Sequence, residues 1–223
     1  MATPILHLSR FLVLGSLALG GLAASGCDNN PAKDKSQATV DTAVAVTAAP
    51  APSAGSVTYV FSNADSKLAF TGAKVTRKHE GSFSVFNGTI LLVDNNPEKS
   101  TVTVDIDMTS LSADDPKLTG HLKSPDLFDA AKFPKAHFVS TSIKAGAANG
   151  ATHTVTGNLE LHGVTKSITF PATVKPHGDG VDVDAEFAIN RKDFGVVYPG
   201  MPDDLIKDDI LIKLQIRSKK AAP

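Results

Sequence analysis

Residues Thr156–Val174, TGNLELHGVTKSITFPATV, decide the fold class of this chain. Apolar and polar residues alternate on both sides of His162-Gly163, which is the pattern of two strands with one buried face each. Glycine takes a positive φ without steric cost, and histidine tolerates the left-handed region better than most residues. The stretch therefore predicts a β-hairpin. A two-residue loop would pair Leu161 with Val164, whereas a four-residue loop over 162–165 would keep the same apolar face.

The same one-sided alternation recurs through most of the chain and predicts an all-β, antiparallel fold. Further strands are predicted over 57–61, 67–75, 79–94, 102–108, 136–143, 181–189 and 210–216. A change of parity near Asn87-Gly88 predicts a bulge where a strand bends. Residues 110–134 predict a short helical insertion that begins near Pro116, and 190–209 predict a long loop. A sandwich would show the same alternation, but closure into a barrel removes unpaired edges and is favoured.

Composition and motifs exclude several classes of function. The 22 basic and 23 acidic residues form no basic stripe, so no nucleic-acid partner is expected. The single Cys excludes an internal disulfide framework. No nucleophile elbow, phosphate-binding glycine loop or H-E-x-x-H motif occurs, and the histidines are scattered. We therefore expect neither an enzyme, nor a cofactor, nor a metal site.

The first 27 residues predict an export signal. An apolar run over 11–22 has the length of a signal-peptide core and is short for a membrane span. Small residues then precede Cys27, as in bacterial lipoproteins, where the Cys is lipidated and becomes the mature N-terminus. We expect lipidated Cys27 and a periplasmic protein anchored to a membrane of the bacterial envelope. An ordinary cleavage near Ala24, leaving a free thiol, is the alternative.

The remainder divides into a tether, a domain and a tail. Residues 28–55 are rich in Ala, Thr and Pro, bury little apolar surface, and are predicted to be a disordered tether. Residues 56–218, about 160 in number, have an ordinary size for one domain with a substantial core. Residues 219–223 are predicted to be a loose tail.

Five segments, in order, resemble the YceI family of exported bacterial proteins. They are Gly81–Gly88, Leu118–Asp129, Phe133–Thr141, Thr156–Lys166 and Asn190–Gly195. The second reads LTGHLKSPDLFD, the fourth TGNLELHGVTK and the last NRKDFG. The resemblance implies a lipocalin-like, eight-stranded antiparallel barrel with a long apolar cavity. It further implies a ligand such as an isoprenoid quinone, a polyprenyl lipid or another long amphipathic molecule.

The inward rows of such a barrel supply the candidate cavity lining. A binding cavity needs apolar walls with a few polar groups at its mouth. The alternative is that these side chains simply fill the barrel, because an eight-stranded interior is just wide enough for that. The candidate lining residues are Phe83, Val104, Ile106, Phe128, Leu159, Ile168, Phe170, Phe187 and Ile212.

His121 and Arg191 are the candidate head-group residues at the mouth. His121 lies in the helical insertion, where it would meet a polar head group or anchor the insertion by hydrogen bonds. Arg191 would also meet the head group, or it would fix its own loop by pairing with Asp193. The resulting hypothesis is an envelope carrier or reservoir for a long-chain lipid. The alternative is an envelope stress or structural interaction protein with a filled barrel, and a hydrolase is the third choice.

Overall fold

The computed structural model describes residues 29–45 and 55–222, so the predicted signal peptide and Cys27 lie outside it. Fifteen strands and one α-helix occur in this part of the chain. The strands are β1 (Thr39–Thr42), β2 (Ser56–Ser62), β3 (Lys67–Ala73), β4 (Lys78–Phe83), β5 (Phe86–Val93), β6 (Asn96–Asp107), β7 (Leu111–Ala113), β8 (Lys135–Ala145), β9 (His153–Leu161), β10 (Val164–His177), β11 (Gly180–Asn190), β12 (Gly200–Met201), β13 (Asp204–Leu205), β14 (Asp209–Arg217) and β15 (Lys219–Lys220). The helix is α1 (Pro116–Lys123).

Backbone pairing joins these segments into an eight-stranded, up-and-down antiparallel barrel. β2 pairs with β5, and β3 pairs with β4. The consecutive strands β2 and β3 therefore act as one long, bent strand, and β4 and β5 act as a second. β6 and β7 form a third, because β6 pairs with β5 and β7 with β4. β8, β9, β10, β11 and β14 follow in order, and β14 pairs with β3 to close the circle. The predicted fold class is therefore confirmed.

The second long strand is interrupted at Ser84-Val85, two residues before Asn87-Gly88, near which the bulge was predicted. Ser84 and Val85 leave the sheet ladder and bond to the 3₁₀ turn after β6, where the Val85 amide donates to Ser110 Oγ at 3.0 Å. This interruption changes the strand's parity, as a bulge does. Gly88 instead pairs regularly with Phe61 across the ladder.

The N-terminal segment, residues 29–45, is folded onto the barrel, so the predicted disordered tether is wrong over these residues. β10 pairs with β11 only over Thr173–His177, and the two strands separate below that point. The segment fills the gap: β1 pairs with β10, and the Ala38 amide donates to the Ala188 carbonyl of β11 at 2.8 Å. The rest of the predicted tether lies outside the described residues.

Backbone hydrogen bonding explains why this weakly apolar segment is ordered. Buried amide and carbonyl groups along the separated edges of β10 and β11 need partners, and an extended segment of any composition supplies them. Ala38 is buried in the barrel core, because its small side chain fits between the two strands. Asn158 on β9 holds the end of the segment by bonds to both backbone groups of Val44, at 3.1 and 2.6 Å.

The predicted tail over 219–223 is also wrong in part. β15 pairs with the outer edge of β2, and the Ala221 amide donates to the Thr58 carbonyl at 2.9 Å. The edge of β2 has no other strand partner on that side in the described chain, and the last residues cover it.

The helical insertion is confirmed and sits across one end of the barrel. Asp115 caps α1 by accepting from the amides of Lys117 and Leu118 at 2.7 and 3.2 Å, and Pro116 occupies the first turn. The long loop after β11 is more structured than predicted, with a 3₁₀ turn at Arg191–Phe194 and a β12–β13 hairpin. No helix within residues 29–45 and 55–222 has the length and hydropathy of a membrane span.

Candidate ligand-binding cavity

Apolar cavity space lies both in the barrel interior and at the end covered by α1. The inner part has a volume of about 180 Å³, and Ser100 is the only polar side chain among the described residues that line it. The outer part has a volume of about 370 Å³ and is bounded by α1 and by the loop after β11. The two parts adjoin, because they share five wall residues, namely Phe83, Met108, Leu161, Ile189 and Ile212. A filled barrel would leave no such space.

All nine residues predicted to line the cavity lie in its wall. Val104, Ile106, Leu159, Ile168, Phe170 and Phe187 line the inner part. Phe128 lines the outer part, and Phe83 and Ile212 line both. Period-two alternation located the eight positions that lie on strands, and Phe128, just beyond the helix, belongs to the segment Leu118–Asp129 that resembles the family.

Three phenylalanines form the inner wall where β10 and β11 separate. Phe170 and Phe187 stack with ring centroids 4.1 Å apart, and Phe138 tilts against Phe170 at 6.0 Å. Ala38 of the N-terminal segment belongs to the same packed cluster. The segment thus packs against the residues of the cavity wall, a role that its composition did not indicate.

Sequence reasoning missed the apolar residues that roof the outer part. Leu118 and Leu122 of α1 face inward one turn apart, a spacing that would have marked them. Val196, Tyr198, Met201 and Ile206 come from the loop after β11, which has no regular periodicity to expose them. The loop is positioned by its own turns rather than by an extended pattern.

His121 lies in the wall of the outer part, as predicted. Its ring packs edge-on against Tyr198, with centroids 5.1 Å apart, and its Nε2 is 3.3 Å from Asp126. About a third of the side chain is exposed, so it borders both the cavity and solvent. A polar group at the mouth would lie near the His121 and Tyr198 rings.

Arg191 also lies in this wall, but its donors are used within the protein. The buried guanidinium donates from Nη1 to the Val196 carbonyl at 2.6 Å and from Nη2 to Asp208 at 3.2 Å. Burial lowers the pKa of Arg191, and the Asp208 carboxylate opposes that shift. The predicted partner Asp193 is replaced by Asp208. Arg191 therefore holds the loop that roofs the cavity, since each of its three guanidinium nitrogens donates to a group of that loop.

The other basic side chains of the outer wall are likewise paired with carboxylates. Lys74 Nζ lies 2.6 Å from Asp204, and this bond is the main reason that the pKa of Asp204 is lowered. His79 Nδ1 lies 2.9 Å from Asp114 and lowers the pKa of that carboxyl, chiefly through the hydrogen bond. The basic side chains of the outer wall therefore each have a carboxylate partner within the protein.

His162 serves the hairpin turn, as predicted. Leu161 pairs with Val164, so the loop has two residues, and both have positive φ: 53° at His162 and 73° at Gly163. His162 Nδ1 lies 3.1 Å from the Phe194 carbonyl, and its ring packs edge-on against Phe133. The turn thus fixes the start of the loop that covers the cavity.

No group of three or more metal-ligating side chains occurs within residues 29–45 and 55–222. The acidic residues of the outward rows bond to basic side chains on the barrel surface. Asp105 lies 2.8 Å from His137 Nδ1, and Asp184 accepts from Arg217 Nη2 at 2.7 Å. The cavity's chemistry is therefore that of apolar contact with a few polar groups at one end.

Comparison with known proteins places these features in a family. The family model of the YceI-like domain matches residues 59–218. A UPF0312 protein of Pseudomonas putida strain W619 is 36% identical over 141 residues, which cover 60% of this chain and 71% of that protein. The N-terminal segment lies before the matched residues.

Two solved structures resemble the barrel. The match to BcnA of Burkholderia cenocepacia has a TM-score of 0.61 at 26% identity, and it covers 70% of this chain and 98% of the BcnA chain. A polyisoprenoid binding domain from Saccharophagus degradans gives a TM-score of 0.58 at 17% identity and covers 74% of this chain and 99% of its own. At that identity, the second likeness shows the fold alone.

Proposed function

Since the chain belongs to the YceI-like domain family, we propose that it binds one long-chain lipid, an isoprenoid quinone or polyprenyl lipid, inside the barrel. The observation that carries this proposal is the pair of adjoining apolar cavities, the inner one lined by Phe170 and Phe187 and the outer one by His121 at its mouth. Catalysis has no part in the proposal.

The cavity suits a flexible hydrocarbon chain better than a compact solute. Its two parts adjoin at the five shared wall residues, which form a waist, so a ligand that used both parts would be long and narrow. Each buried CH₂ would contribute about 0.8 kcal/mol, less the cost of ordering the chain. The name of the Saccharophagus degradans domain, polyisoprenoid binding, is in keeping with such a ligand.

The charged side chains that line the outer part of the cavity favour an uncharged head group. A diphosphate would need cations that are free to pair with it. Lys74, His79, His121 and Arg191 each lie within 4 Å of a carboxylate already. A carbonyl or hydroxyl head could instead bond to His121 or Tyr198 without breaking these pairs. An isoprenoid quinone or a polyprenol therefore fits better than a polyprenyl diphosphate.

We further propose that the protein acts as a carrier or reservoir on the periplasmic side of the bacterial envelope, anchored through lipidated Cys27. The apolar run over 11–22 and the small residues before Cys27 support this location. Cys27→Ser should release the protein from membranes, and unchanged membrane association of that variant would contradict the anchor.

Native mass spectrometry of the full chain, purified from bacterial membranes in mild detergent, tests the bound lipid. We expect one added mass per protein, and organic extraction should release a quinone or polyprenol of that mass. The extracted protein should regain the added mass when a quinone is supplied. A protein that arrives empty and takes up neither a quinone nor a polyprenol would overturn the proposal.

A further inference from the structure

A cluster of exposed apolar side chains surrounds the cavity mouth. Seven large hydrophobic side chains are exposed in the described chain, and four of them lie at this one end. They are Val75 at 52% exposure, Val197 at 63%, Met201 at 61% and Leu205 at 47%. We name these four residues the apolar rim. Such a cluster on a protein surface marks a contact with another apolar partner.

The apolar rim is structurally continuous with the cavity. The Val75 amide donates to the Leu205 carbonyl at 3.1 Å, which joins the β3–β4 turn to the β12–β13 hairpin. Met201 lies in the outer cavity wall and is also exposed, and Val197 lies between two wall residues, Val196 and Tyr198. Whatever covers the rim therefore also covers the opening through which a ligand would pass.

The start of the folded chain is fixed at the same place. Asn29 Nδ2 donates to the Val75 carbonyl at 2.9 Å, so residue 29 lies against the rim. Cys27 precedes Asn29 by two residues, which span at most about 7 Å of extended chain. A lipid on Cys27 would hold the rim close to the membrane surface.

We propose that the apolar rim is a membrane-contact surface, and that the protein sits with its cavity mouth against the bilayer that holds its anchor. The proposed orientation rests on the lipid proposed at Cys27, and the transfer of a bound lipid rests on the lipid binding proposed above. A long-chain lipid then moves between bilayer and cavity without crossing water. The exposed Arg77 and Lys78, just beyond Val75, suit lipid phosphates, although Asp203 beside the rim opposes them in part.

Depth-dependent fluorescence quenching tests this orientation. The full, lipid-anchored chain is reconstituted in vesicles of phosphatidylethanolamine and phosphatidylglycerol that contain a nitroxide lipid labelled near the top of its acyl chain. A single added thiol, Met201→Cys or Leu205→Cys, carries a polarity-sensitive dye. Asp179→Cys, exposed in the turn at the opposite end of β11, is the matched control.

We expect the nitroxide lipid to quench the dye several-fold at positions 201 and 205 and to leave it unchanged at 179. Equal quenching at both ends, no quenching at the rim, or a chain that stays in solution beside the vesicles would each overturn the proposal. Native mass spectrometry separates the two hypotheses. A lipid-loaded protein with an unquenched rim refutes only the membrane contact, and an empty protein with a quenched rim refutes only the cargo.

Discussion

Glycines beneath phenylalanine rings shape the barrel at three places. A Cβ built on any of these glycines would collide with the facing ring, so the ring occupies the space that a side chain would otherwise fill. Glycine is expected in a strand where another group approaches the backbone this closely. The three pairs are Gly81 with Phe70, Gly88 with Phe61 and Gly157 with Phe138.

Gly157→Ala should therefore destabilise the protein, although alanine is ordinarily better than glycine within a strand. The added Cβ would meet the Phe138 ring and lie 2.5 Å from the Val139 carbonyl oxygen, which is backbone and moves only with the sheet. We expect the free energy of unfolding to fall by about 1–3 kcal/mol, as for other overpacked cores. Chemical denaturation measures it.

Gly178→Ala is the matched control for that variant, because a Cβ there meets no atom within 4 Å. Its unfolding free energy should change by no more than about 0.5 kcal/mol. Equal effects of the two substitutions would show that the Phe138 ring moves freely and does not constrain Gly157.

At this scale, the sequence predicted which residues face inward but not what the polar ones bond to. Alternation placed Leu159, Ile168 and Phe170 in the wall, since strand parity is a local property. Arg191 pairs with Asp208 and not with Asp193, which is nearer in sequence, because the 3₁₀ turn and the β12–β13 hairpin fold the loop back on itself. Contacts set by loop geometry leave no periodic signal.

Among the elements, the N-terminal segment departs most from the sequence-based expectation. Composition indicated disorder because it measures how much apolar side chain a segment can bury. The segment is held mainly by backbone bonds to β10 and β11, and these depend on a gap in the sheet that no local pattern reveals. The hairpin at His162-Gly163, in contrast, was predictable because its turn chemistry lies within four residues.

Docking of this segment should weaken in acid. Lys35 forms an ion pair with Glu186 of β11, and its hydrogen bond is the largest cause of the lowered pKa of Glu186. A carboxyl whose pKa is lower when the segment is docked stabilises docking above its ordinary pKa, near 4.5. That contribution is lost as the pH falls through the lowered value.

Hydrogen exchange at the Ala38 and Ala188 amides, corrected for intrinsic rates, measures docking directly, since these amides form the hydrogen bonds between the N-terminal segment and β11. We expect their protection to fall below about pH 4.5 in the wild type. In Glu186→Gln, protection should be lower at neutral pH and change less in acid. The exposed Glu160 gives the control substitution Glu160→Gln, which should behave as wild type. Protection that is independent of pH in the wild type would contradict the role of the pair.

For the whole molecule, the closed interior follows from the sum of the strands. Each predicted strand had one apolar face, and the single closed arrangement of eight such strands puts every apolar face inside. Whether that interior is filled or open was not predictable, because it depends on how far side chains such as Val102 and Ile106 leave space across the barrel. The cavity volume is a property of the assembled packing.

Blocking the waist of the cavity should separate lipid binding from folding. Ile212 lies where the inner and outer parts meet, and a larger ring there would extend into open space. Ile212→Trp should therefore fold, with a stability change smaller than that of overpacking a filled core. A long chain would no longer reach the inner part, and we expect lipid occupancy to fall by about tenfold or more, equivalent to at least about 1.4 kcal/mol of binding free energy.

Lys213→Trp is the matched control, since Lys213 is the next residue of β14 and its side chain is on the outer face, 3.7 Å from Glu186. It adds the same ring on the same strand but leaves the cavity unchanged, so its lipid occupancy in native mass spectra should equal that of the wild type. Thermal unfolding of both variants shows whether each is folded. Full occupancy in a folded Ile212→Trp protein would confine the ligand to the outer part, and a shorter amphipathic molecule would then replace the long-chain lipid as the cargo.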